Sequence, residues 1–221
     1  MNVTEMLGNT ANTSAVFQRT PEWYQARIGK LTASRMAVAM SFKKDGAPTK
    51  ARERYMMEIV AERQTDIIVP HYVTPAMEWG MATEPEAKEA ARQVLCLDIS
   101  EYGFVDHPEI DLFGASPDGG LEDDGLIEIK CPQTATHMLW LKNNVVPEER
   151  KPQMIAQLLC TGRRYCKFMS YDPRFTARPI FYKHFAPTQE ERDSVENAAI
   201  QFLNEAEQLF ELVTTSHRNA A

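Results

Sequence analysis

The sequence predicts one α/β domain in which a central mixed β-sheet is flanked by helices. Three observations carry this reading. Stretches with helical spacing of apolar residues lead into a middle segment, 97–130, made of short β-prone pieces separated by Asp and Gly. Two further strand patterns then lie between a second helical region and a last helix. No internal repeat and no linker divides the chain.

The elements follow in order. Residues 1–20 are polar and aperiodic, which predicts a flexible or loosely docked arm, with the ordered domain, 21–221, beginning near Pro21. TASRMAVAM, 32–40, has helical spacing with Thr32 available as its N-cap. KARERYMMEIVAERQ, 50–64, is a second helix whose apolar stripe is Tyr55, Met56, Ile59 and Val60. Thr74-Pro75 opens a long helix running to Leu95, with Gly80 and Pro85 as possible interruptions. ISEYGFVDH, LFGAS and GLIEIK then read as adjacent strands. Helices are expected at 134–144 and 148–162, the second ended by Gly162, and strands at 164–172 and 178–185. Thr188 and Glu191 form a capping box for the final helix.

Bulk composition narrows the function classes. A chain of 221 residues can bury a substantial core. Nothing at its amino terminus resembles a secretory signal and no segment has transmembrane length, so a cytoplasmic protein is expected. Cys96, Cys131, Cys160 and Cys166 show neither CxxC pairing nor a histidine at zinc-ligand spacing, and read as reduced thiols, mostly buried. The histidines at 71, 107, 137, 184 and 217 are scattered, which suits surface or core roles. A net charge of -7 argues against a protein that coats DNA, although a basic channel inside an acidic exterior stays open. Short basic clusters lie at 43–50, 52–54 and 163–167.

The chemistry concentrates in GASPDGGLEDDGLIEIK. Asp118 is expected at the end of one strand beside a Gly-Gly turn, with Glu128 and Lys130 on the next. Residues two apart on a strand share a face, so Glu128 and Lys130 point together while Ile127 and Ile129 face the apolar side. Two convergent carboxylates repel unless a cation lies between them, and oxygen ligands suit Mg²⁺, with Mn²⁺ as a substitute. The Ile129 carbonyl offers a third oxygen, and Lys130 an ammonium to activate water or stabilise charge. The spacing alone is equally that of an ordinary charged hairpin.

Pro117-Asp118 and Glu128-Ile129-Lys130 resemble the two signature elements of the PD-(D/E)XK nuclease superfamily, which implies a restriction-endonuclease-like fold. EWYQARIGKLTAS at 22–34, AMEWGMATEPEA at 76–87 and QMIAQLLCTG at 153–162 narrow the resemblance to the phage lambda exonuclease, or YqaJ-type viral recombinase, family. That resemblance implies a 5′-phosphate pocket of Arg27, Ser34 and Ser116, chemically apt because guanidinium and hydroxyl groups match phosphate oxygens. It implies that Glu84 faces the metal site from a helix as a second metal ligand or base. Gln153 is implied as the glutamine that positions water or phosphate, with Gln157 read as a helix-surface amide.

By the same resemblance the chain is a 5′-to-3′ exonuclease on linear double-stranded DNA ends. It would release mononucleotides and leave a 3′ strand for recombination, as a homotrimeric ring beside a single-strand annealing protein. Met77 is a candidate wedge between base pairs, with core packing the favoured reading. The rivals are a structure- or site-specific endonuclease with the same core, the iron-sulfur branch of the superfamily, and a non-catalytic DNA-end-binding scaffold.

Overall fold

The computed structural model describes residues 18–215 except 71, 97 and 123. The arm expected over 1–20 therefore lies outside the described residues up to position 17, as do His71 and His217. Its last three residues are docked: the Gln18 side-chain amide donates to the Pro117 carbonyl at 2.8 Å, and Arg19 pairs with Glu84.

The chain runs through α1 (Pro21–Gln25), β1 (Leu31–Thr32), α2 (Met36–Ala39), α3 (Lys50–Thr65), α4 (Pro75–Leu95), β2 (Ile99–Ser100), β3 (Val105–Asp106), β4 (Phe113–Ala115), β5 (Gly119–Leu121), β6 (Gly125–Lys130), α5 (Thr134–Asn143), α6 (Lys151–Thr161), β7 (Tyr165–Tyr171), β8 (Ile180–Phe185) and α7 (Gln189–Thr215). The strands make a mixed five-stranded sheet, ordered β2-β5-β6-β7-β8, and a three-stranded one, ordered β1-β4-β3. Only β6 with β7 and β1 with β4 are parallel pairs. The architecture is the predicted α/β domain with a central mixed sheet between helices.

β6 shows why the sheet is buried on both sides. Leu126 packs into a large core with Trp140, Phe168 and Phe202, while Ile127 and Ile129 pack on the opposite face against Ala87 and Ala91 of α4. Alternation thus puts Glu128 and Lys130 on the same face as Leu126.

Several local expectations hold in detail. Thr74 accepts from the Met77 N–H at 3.2 Å with Pro75 behind it, and α4 then continues unbroken through Gly80 and Pro85. In the capping box at α7, the Glu191 N–H donates to Thr188 Oγ1 and the Thr188 N–H to Glu191 Oε2. Gly162 ends α6 at a φ of 69°.

Others are corrected. Thr32 closes β1 instead of capping a regular helix: its N–H is taken by the Tyr55 hydroxyl, and a 3-10 turn, Ala33–Arg35, separates it from the single turn of α2. Leu31 is fully buried in register with Phe113, so core packing overrides the helical pattern. Gly119-Gly120 is a strand, not a turn, because β2 packs so close that a Cβ on Gly119 would come within 2.3 Å of Ile99 Cγ2. The turn lies between Leu121 and Gly125, with Glu122 at a φ of 50°.

The basic reading of 52–54 also fails at Arg52, which is only 2% exposed. Its guanidinium grips both oxygens of Glu205 on α7, at 2.6 and 3.1 Å, and the Ala39 carbonyl at 2.7 Å. A buried charge demands such a partner, so this arginine ties α3 to α2 and α7.

Candidate active site

The β5–β6 hairpin builds the site. Gly119 pairs with Ile127 across an antiparallel ladder, which sets Asp118 opposite Glu128. Asp118 Oδ2 accepts from the Ile129 N–H at 2.7 Å. In a strand a residue's N–H and C=O leave by the same edge, so the Ile129 carbonyl also looks toward Asp118. Lys130 ends the strand in an ion pair with Glu128 Oε1.

Glu128 is fully buried, and a carboxylate out of water costs several kcal/mol unless its oxygens are engaged. One is well served: Oε2 accepts from the Gln157 amide at 2.6 Å. Oε1 touches Lys130 yet receives no well-directed hydrogen bond. Burial, reinforced by the charge of Glu128, pushes Asp118 up to about 8, against the pull of Lys130. Burial by itself would lower the Lys130 ammonium, but Glu128 and Asp118 outweigh it and the net shift is upward. The site is short of positive charge between its two carboxylates.

These features fit a hard divalent cation, since the oxygens present are two carboxylates, one with an unsatisfied lone pair, and a strand carbonyl. Among the described residues no three His, Cys, Asp or Glu side chains converge on one point. A cation here would thus keep open positions for water or substrate oxygens. Glu84 lines the same cleft of about 490 Å³ and its charge raises Asp118, but its carboxylate is engaged by Arg19 and by Lys88 at 3.7 Å.

A second cleft of about 600 Å³ holds Arg27 and Ser34. Arg27 lies 4.1 Å over the Trp23 ring and donates to Ser116 Oγ at 3.4 Å, where the Trp23 indole N–H also donates at 2.8 Å. The neighbouring cations have acid partners: Lys30 pairs with Asp106, and Arg35 and Arg54 share the one carboxylate of Glu58. Among the described residues Arg27 has no such ion pair, which leaves its guanidinium for an anion. Ser34 Oγ contacts Thr32 Oγ1 at 3.3 Å beside it. Ser116, two residues before Asp118, and Met77, which lines both clefts, make the two spaces neighbours.

Two sequence readings are overturned here. Gln157, expected on the helix surface, is 1% exposed and holds Glu128, whereas Gln153, one turn earlier, makes no side-chain hydrogen bond to the described residues. The pattern in 153–157 offered two glutamines, and only the rotation of α6 against β6 turns Gln157 onto Glu128. Met77, expected in the core, is 48% exposed at the junction of the clefts. Arg150, which also lines the Asp118 cleft, gave no signal beyond being one base in EERK.

Residues 22–164 match the YqaJ-like viral recombinase domain model. The chain belongs to this family. Its structure is similar to that of an alkaline exonuclease from Laribacter hongkongensis, with a TM-score of 0.83 and 36% identity over 91% of this chain and all of that one. The same enzyme in complex with dAMP superposes at 0.84. A phage related exonuclease from Haemophilus somnus 129PT, at 11% identity, covers 84% of this chain and 96% of its own with a TM-score of 0.63, a likeness of fold. No curated protein shows a significant match. The family and the restriction-endonuclease-like sheet that the motifs suggested are thus borne out, and the matched region spans every site residue named above.

Proposed function

We propose that this chain is a Mg²⁺-dependent 5′-to-3′ exonuclease that degrades linear double-stranded DNA from 5′-phosphorylated ends. It releases mononucleotides and leaves a 3′ strand for recombination. The observation that carries the reading is the pairing of Asp118 with Glu128 and Lys130 beside a cleft whose Arg27 has no acid partner among the described residues. One group cuts while the other holds an end. The relatives' exonuclease activity and bound dAMP agree with it.

Asp118, Glu128 and the Ile129 carbonyl would hold the cation, with Mn²⁺ able to replace Mg²⁺. A bound Mg²⁺ supplies charge at the phosphate oxygens and a lower pKa for water. Lys130, charged at neutral pH, stabilises negative charge developing on phosphorus oxygens or orients the attacking water. Gln157 donates to Glu128 and fixes which carboxylate lone pairs face the cleft. Glu84 serves as a second cation ligand or proton acceptor once Arg19 releases it.

Arg27, Ser34 and Ser116 bind the terminal 5′-phosphate; the Ser116 hydroxyl, which accepts from Trp23 and Arg27, donates its own O–H to a phosphate oxygen. Met77 stands where a wedge would enter between the first base pairs. A homotrimeric ring explains how a chain of net charge -7 stays on DNA, with a single-strand annealing protein as its partner. Among the described residues no helix is long and apolar enough to cross a membrane.

The phosphate pocket is tested by comparing duplexes with 5′-phosphate and 5′-hydroxyl ends. Wild type should prefer the phosphate by about 10-fold or more, and Arg27→Ala should erase the preference. Equal rates on both ends would remove the 5′-end reading.

A further inference from the structure

Arg150 closes the 3-10 turn Glu148–Arg150 that leads into α6, and its side chain enters the cleft of Asp118 and Lys130. Its guanidinium lies over the Trp140 ring, 5.9 Å from the centroid. Its Nε is buried with no acceptor, and among the described residues no carboxylate reaches it as an ion-pair partner. Glu128 pairs with Lys130, Glu148 with Lys151 and Glu84 with Arg19, and Asp118, which lines the same cleft, accepts from the Ile129 N–H.

A buried guanidinium N–H without an acceptor is costly, because nothing replaces the water it gave up. A fold that leaves such a cation without an ion-pair partner at the wall of an open cleft leaves it for an anion that arrives from outside. The fork of N–H groups on a guanidinium matches the oxygens of a phosphate.

We propose that Arg150 is a substrate-binding residue of this site, donating to a non-bridging oxygen of the phosphate being cut, which stays on the shortened strand as its new 5′-phosphate while the mononucleotide leaves with a free 3′-hydroxyl. This rests on the nuclease reading above. Arg27 and Arg150 then mark two phosphate positions on one strand, the end in the first cleft and the reacting group in the second. As charge builds on the phosphate oxygens, Arg150 and Lys130 stabilise it from the cleft wall.

The test compares wild type with Arg150→Gln and Arg150→Lys in three measurements: digestion kinetics on linear duplex, calorimetric binding without metal of dAMP and of the 5′-phosphorylated dinucleotide pdApdA, which adds the internucleotide phosphate, and thermal melting. Arg150→Gln should lower kcat by about 100-fold, the usual loss when one transition-state donor is removed. It should weaken the dinucleotide by about 10-fold, leave dAMP, whose one phosphate belongs to the Arg27 cleft, unchanged, and leave the melting temperature equal or higher, since an uncompensated charge has gone. Arg150→Lys should fall between. Arg150→Gln binding the dinucleotide as tightly as wild type, or cutting at the wild-type rate, overturns the proposal. So does a fall in melting temperature that accounts for the lost activity while dinucleotide affinity persists. A wild type that leaves DNA intact defeats the nuclease reading instead, and the dinucleotide comparison still decides the role of Arg150.

Discussion

At the scale of single residues, the site is organised by one electrostatic conflict. Asp118 and Glu128 are driven together by the β5–β6 register, and in the cation-free protein the cost appears as an Asp118 carboxyl pushed up to about 8. An acid whose folded pKa lies above its unfolded value binds more protons in the native state, so stability falls as pH rises between the two values. The melting temperature of EDTA-treated protein should therefore decline from about pH 5 to about pH 8. Added Mg²⁺ should restore it most at the alkaline end, where the proton no longer competes. Asp118→Asn should remove both the decline and the rescue; a wild-type profile in that variant would contradict the assignment.

The carboxylates and the lysine were legible in the sequence because strand alternation alone sets their faces. Gln157 was not, since helix phase is fixed only when α6 docks on β6. Gln157→Leu should reduce kcat about 10- to 100-fold, while Gln153→Ala should stay within about twofold of wild type. Equal losses would return the role to both amides.

At the scale of elements, what was legible is what local chemistry dictates. The caps at Thr74 and Thr188, the glycine stop at 162 and the alternating faces of β6 all rest on neighbours in sequence. β1 and β5 escaped because their pairing is non-local. Leu31 is a strand residue only because Phe113 lies beside it, and Gly119 only because Ile99 leaves no room for a Cβ. The same holds for Arg52, whose acid lies 153 residues away on α7. Glu205→Ala should destabilise the protein by about 1–3 kcal/mol by leaving a buried guanidinium unpaired, read from urea unfolding. A change under about 0.5 kcal/mol would show that water replaces Glu205 at no cost.

At the scale of the whole molecule, the proposal gives cutting to the β5–β6 hairpin and end binding to the Arg27 cleft, and Met77, which lines both clefts, joins the two. On that reading an acidic chain would gain specificity for ends from the joined geometry, with no need for a general affinity for DNA. The most direct test places end-labelled linear duplex and closed circular duplex in one reaction with wild type and Asp118→Asn, with and without Mg²⁺. Wild type with Mg²⁺ should release the 5′ label progressively and spare the circle, and neither the variant nor the metal-free reaction should release anything. A linearised or nicked circle, or digestion by Asp118→Asn at the wild-type rate, would contradict the account.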